Sequence, residues 1–120
     1  MRPRIPALAI CLLLAATSQS TARDGAYVAC DNGLRCFKAP CPSTTVRDLA
    51  TGKLWKGTSP DIGRLSEADQ RRIRETDALY YGRLVLRGHI VRQAKGPSAL
   101  VVTGIARKAK PAERRHCPKG

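Results

Sequence analysis

With 120 residues the chain is too short for two domains of ordinary size, and its five aromatic side chains limit the core it can build. A net charge of +13, from 22 Lys and Arg against nine Asp and Glu, concentrates polyanions and anionic surfaces around the molecule without specifying a fold. Arginine outnumbers lysine fifteen to seven, which GC-rich coding also produces, so charge alone assigns no partner.

The chain starts with a short basic segment, Met1–Pro6, followed by an apolar run, Ala7–Ala16, and small polar residues up to Ala22. This reads as a secretory signal peptide over residues 1–22, with an apolar stretch too short to span a bilayer. Ser20 and Ala22 have the spacing that signal peptidase reads, so cleavage is expected after Ala22, with Ser20 the alternative. Ile10 ahead of Cys11 argues against lipidation there. The expected mature chain is Arg23–Gly120, 98 residues long, and loss of Arg2 and Arg4 lowers its net charge to +11. It would be periplasmic or secreted, with no transmembrane segment once the signal is removed.

Export leaves Cys30, Cys36, Cys41 and Cys117, an even number in an oxidising compartment, which is the usual signature of two disulfides. Three pairings are open to four cysteines. The favoured one joins Cys36 to Cys41 as a local clasp and Cys30 to Cys117 as a long tie.

In chain order, Ala26–Cys30 is a short β-prone run closed by the turn Asp31-Asn32-Gly33. Cys36–Pro42 forms a knuckle in which Pro40 and Pro42 bias Ala39 and Cys41 to extended conformations. Ser43–Leu49 and Lys53–Gly57, joined through Ala50-Thr51-Gly52, read as a hairpin. Trp55 in its second arm is expected to pack on the core or rim rather than serve as a ligand platform. Ser59–Leu65 reads as a loop.

Ser66 is the expected N-cap of a helix over Glu67–Leu79, with Glu67 and Asp69 in the first turn and Gly82 placed to end it. Pairs at Glu67/Arg71, Asp69/Arg72 and Arg71/Glu75 would leave its arginines on a solvated face. Arg83–Arg92 and Ala99–Ala106 alternate as strands, with Gly88 and Gly104 marking bulges or sharp bends. Residues 23–107 are thus one disulfide-stapled domain, and 108–120 are a basic C-terminal tail held only if Cys117 is bonded. The fold class expected is α+β: a small antiparallel sheet of four to five strands with one helix between strands 3 and 4. An OB-like, partly open barrel and an open sheet with one helix on a face both fit.

The chemistry is sparse. No nucleophile elbow, zincin helix or phosphate-cradling glycine loop is present, so no catalytic residue and no enzyme activity is assigned. Cys36, Cys41, His116 and Cys117 are zinc-type ligands, yet in an oxidising compartment the thiols are better used as disulfides, so neither metal nor cofactor is expected. A row of cations, Arg83, Arg87 and His89 on one strand with Arg107 and Lys108 on the next, could track an anionic polymer. Aromatics are not interleaved there as in single-strand nucleic-acid binders, and export also argues against nucleic acid.

The segments LRCFKAPCP (34–42), VRDL (46–49), DIGRLSEA (61–68), GRLVLRGH (82–89) and LVV (100–102) resemble a family of exported bacterial domains of unknown function. That family pairs an Arg-Cys…Pro…Cys element with a Leu-Ser-x-Ala helix start and a Leu-Arg-Gly strand. Here Pro40 directly precedes Cys41, and Pro42 stands in place of a glycine run. Residues 36–57 are also similar to a second uncharacterised family, at a spacing one residue different. Neither resemblance implies an activity or a site residue. The expected function is a non-catalytic binding or structural module of the bacterial envelope, its partner an anionic envelope polymer or another exported protein. Two alternatives stand beside it: an anionic polymer or membrane-surface binder acting through the basic strand, and a secreted inhibitor using the Cys36–Cys41 loop.

Overall fold

The structure is a computed structural model and describes residues 24–39 and 41–120; the expected signal peptide and cleavage site, Cys11 and Pro40 lie outside the described residues. The elements run β1 (Gly25–Asp31), β2 (Thr44–Asp48), β3 (Leu54–Lys56), β4 (Ser59–Asp61), α1 (Glu67–Glu75), α2 (Ala78–Tyr81), β5 (Leu84–Val91) and β6 (Ala99–Lys108), with a 3₁₀ turn at Pro111–Arg114. The fold is α+β, built on one six-stranded sheet in the order β3-β2-β1-β5-β6-β4.

The expected hairpin is β2–β3, in register through Thr45↔Lys56, Val46↔Trp55 and Arg47↔Leu54. Its turn is closed by Gly52, whose N–H donates to the Asp48 carbonyl over 2.7 Å from a left-handed backbone (φ +79°). The segment read as a loop after Gly57 contains β4, which pairs parallel to β6 through Pro60↔Leu100. The sheet is therefore mixed rather than antiparallel throughout. Pro60 disguised the strand in the sequence, but an edge strand tolerates a residue without an N–H.

β3 and β4 occupy opposite edges of the strand order although only Gly57 and Thr58 separate them. The sheet must therefore curl until its two edges meet. Gly88 permits part of that curvature. The β5–β6 register shifts between Arg87 and Gly88, and a Cβ on Gly88 would collide with the Val101 carbonyl oxygen. Inside the curl pack Val46, Ile73, Leu86, Leu100 and Val102, each nearly or wholly buried.

The expected single helix is two. Ser66 caps α1 as anticipated, its Oγ accepting from Asp69 N over 3.1 Å. The helix then stops at Thr76, whose hydroxyl donates back to the Arg72 carbonyl, and Asp77 turns left-handed (φ +52°) before α2. The break has a packing reason. Ile73 and Ala78 are both buried, yet residues five apart on a straight helix point about 140° away from each other. Gly82 ends α2 as expected, in a left-handed conformation, and a Cβ there would sit 2.5 Å from Cys117 Sγ.

Both disulfides join the favoured partners: Cys36 to Cys41, with Cα atoms 5.5 Å apart, and Cys30 to Cys117, with Cα atoms 5.6 Å apart across 87 residues. The long tie brings the C-terminal segment back to β1. Arg47 donates to the Ala112 carbonyl over 3.0 Å, and Ala109 N to the Arg83 carbonyl over 2.9 Å. Residues 108–120 thus belong to the folded body rather than trailing from it.

Candidate anion-binding site

The five cations expected to form a row do not form one. Val85, between Arg83 and Arg87, is buried, and the register of β5 against β6 shifts on both sides of the segment Leu86–Arg87. His89 Nδ1 lies 3.1 Å from Asp24 Oδ1, and the Thr103 hydroxyl donates to the other oxygen of the same carboxylate. These contacts, Thr103 first and then His89, hold the Asp24 carboxyl below its ordinary range. Arg107 is also spent, in a two-armed contact with Glu113 at 2.8 Å on each arm. Arg87 stands exposed opposite Gly104, on the side of Asp24 and His89 rather than of Arg83 and Lys108.

Arg83 and Lys108 do come together. Leu84 pairs with Lys108 at the start of β5 and the end of β6, and beside this pair opens a cleft of about 370 Å³. Arg72 and Thr76 reach it from α1, and Arg114 reaches it from the 3₁₀ turn. Leu84 and Ala109 supply apolar lining. Four cationic side chains thus surround one hollow that no acidic residue lines among the described residues.

Two of the four are held in place. Arg114 donates from Nε (3.0 Å) and from one terminal nitrogen (2.7 Å) to the Tyr81 carbonyl, which satisfies the open C-terminal end of α2 and fixes the guanidinium plane. Arg83 lies over the Tyr81 ring, 4.5 Å from its centroid, and keeps its in-plane N–H groups for a ligand. Among the described residues neither these arginines, nor Arg72, nor Lys108 forms an ion pair. The nearest carboxylate along the chain, Glu113, is engaged by Arg107 and by Lys110 N, and these contacts pull its pKa down to about 2. Like charges gathered without a counter-ion cost free energy, and an incoming anion would recover it.

No local signal in the sequence points to Arg72 or Arg114 as cleft residues. Arg72 was assigned to a solvated face paired with Asp69, but none of the three ion pairs expected along α1 is among those of the described residues. Instead Arg72 and Thr76 of α1 line the cleft together with Arg83 and Leu84. Arg114 was assigned to the tail. Its signal was its place three residues before Cys117, because the bond to Cys30 returns that segment to the sheet.

The disulfides occupy the zinc-type thiols, although the Cys30, His116 and Cys117 ligand atoms lie within 4.8 Å of one another. Cys36 is bonded to Cys41, and His116 lies 3.6 Å from a Cys117 sulfur already joined to Cys30. Burial holds the His116 pKa below its usual value. Trp55 packs partly buried against the core, with Lys53 Nζ 4.0 Å and the Arg92 guanidinium 5.3 Å from its ring centroid. That covers the ring and agrees with its assignment to core or rim. A second hollow of about 560 Å³, under the knuckle, is lined by one cation, Lys56, with Asn32, Leu34 and Pro42.

Compared with protein-family models, curated proteins and solved structures, the chain gives no match.

Proposed function

We propose that the chain is a small exported, non-catalytic binding module, an OB-type barrel that holds an anionic ligand in the cleft formed by Arg72, Arg83, Lys108 and Arg114. The observation that carries this reading is the convergence of four unpaired cations, two of them held by Tyr81, on one hollow without acidic lining. The barrel assignment rests on strand order. Taking β3 and β4 as one bent strand leaves five strands, with β1 between β2 and β5, the third parallel to the last, and the helices between the third and fourth. OB barrels usually hold ligands on the face of strands 2 and 3. Here Arg47 of β2 is tied to the C-terminal segment at Ala112, which directs attention to the end of the barrel instead. Two disulfides fit a periplasmic or secreted address, and the resemblance to exported domains of unknown function belongs to the same reading.

Heparin retention of the oxidised mature chain across a salt series tests the proposal. The double variant Arg83→Gln/Lys108→Gln should lose roughly ten-fold or more in affinity, along with about one released counter-ion per cation removed. Arg87→Gln, one exposed cation outside the cleft, should change retention far less. Equal losses per charge from both variants would reduce the effect to net charge and sink the proposed site.

A further inference from the structure

Large apolar side chains left in water are concentrated at one end of the barrel. Five are exposed among the described residues, and three of them, Leu34, Phe37 and Tyr80, sit on the segments at this end. Here β1 passes to β2 through residues 32–43, and α2 leads into β5. The same end carries the cationic cleft, since Leu84 opposite Lys108 marks the start of β5 and the finish of β6.

The exposed apolar segments and the cleft are linked by contacts. The Arg35 guanidinium adjoins Tyr80, whose ring meets Tyr81 edge to face at 4.8 Å. Arg83 lies over that second ring, and Arg114 holds its carbonyl. Phe37 is fully exposed, next to Cys36 in a loop that the bond to Cys41 closes over five residues. The clasp reduces the ordering cost of presenting this ring to a partner. Lys38 follows it and Lys56 borders the hollow under the knuckle, while Asp31 at the end of β1 is bonded to Arg35 at 3.2 Å.

Aromatic and aliphatic groups beside the cleft cations and beside Lys38 and Lys56, none of these cations in an ion pair among the described residues, suit the boundary between anionic headgroups and acyl chains. A protein partner would need a matching acidic rim around an aromatic pocket. A phosphate-bearing bilayer surface supplies both environments to any molecule that approaches with this end. We infer that this end of the barrel docks on an anionic phospholipid surface, with a lipid phosphate in the cleft and Phe37 entering the acyl boundary. The inference rests on the anion-binding reading of the cleft.

The test compares two readouts on the oxidised mature chain: co-sedimentation with vesicles of equimolar phosphatidylglycerol and phosphatidylcholine, and heparin retention. Wild type should partition onto these vesicles and not onto pure phosphatidylcholine. Phe37→Ala, at a fully exposed site where folding is untouched, should weaken partition roughly ten-fold or more and leave heparin retention unchanged. Arg83→Gln/Lys108→Gln should weaken both, by about five-fold per cation on vesicles. If Phe37→Ala sediments like wild type while heparin retention persists, the membrane inference is overturned and the anion site stands. If the cation variant changes neither readout, the anion site fails and the inference fails with it. Phe37-dependent binding to an exported protein, without vesicle binding, also overturns the inference.

Discussion

Glu113 shows how one carboxylate positions a cation that it does not touch. Arg107 grips both its oxygens and Lys110 N donates to one of them, which together pull its pKa from the usual 4.5 to about 2. Because the folded state holds the ionised form more tightly than the unfolded chain does, this pair stabilises fully above about pH 4.5. The contribution is lost as pH falls from there toward 2. Asp24 acts in the same direction through Thr103 and His89, so a variant is needed to isolate Glu113. Glu113→Gln should melt lower than wild type at neutral pH and lose less between pH 4.5 and 2. The difference is modest, since both partners face solvent. Parallel melting curves against pH for the two proteins would show that the pair contributes nothing. The consequence for the site is positional: Glu113 anchors the turn from which Arg114 enters the cleft.

Asp77 marks where the helical segment breaks, one residue after Thr76, which lines the cleft with Arg72. Its left-handed backbone, at φ +52°, is one that glycine adopts freely, aspartate tolerates and a β-branched residue resists. Asp77→Gly should therefore unfold in urea within about 0.5 kcal/mol of wild type, and Asp77→Val about 1–2 kcal/mol earlier. Equal stabilities would mean that the turn is not fixed by residue 77. This break was invisible in the sequence because Glu67–Leu79 satisfies every local criterion for one helix: a good cap, acidic start, basic interior and a glycine beyond. Only the need to bury Ile73 and Ala78 together divides it, and that need comes from the sheet. The Ser66 cap and the β2–β3 hairpin depend on near neighbours and were legible, and the bend at Gly88 was legible from a glycine standing in mid-strand. The parallel pairing of β4 with β6 depends on residues some forty positions away and was not. The cleft followed the same rule: Arg83 and Lys108 were readable on adjoining strands, whereas Arg72 and Arg114 arrive through tertiary contacts.

Across the whole molecule the two disulfides carry different loads. Cys30 is fully buried on β1, and its bond to Cys117 closes a loop of 87 residues. In the chain-entropy model such a closure is worth about 4–5 kcal/mol, against about 2 kcal/mol for the five-residue separation of Cys36 and Cys41. The long tie has structural leverage as well, because Arg47, Arg83 and Tyr81 all receive contacts from the segment it returns to the sheet. Cys30→Ser/Cys117→Ser should therefore lose about 4 kcal/mol or more in urea unfolding, together with retention on heparin, because Arg114 loses its seat on Tyr81. Cys36→Ser/Cys41→Ser should lose about 2 kcal/mol or less and keep that retention, since no cation of the cleft lies in the knuckle. The comparison separates the two candidate surfaces as well as the two bonds. If the knuckle variant abolished retention instead, the anion would bind at the clasped loop, and the cleft would be left as an electrostatic feature without a ligand.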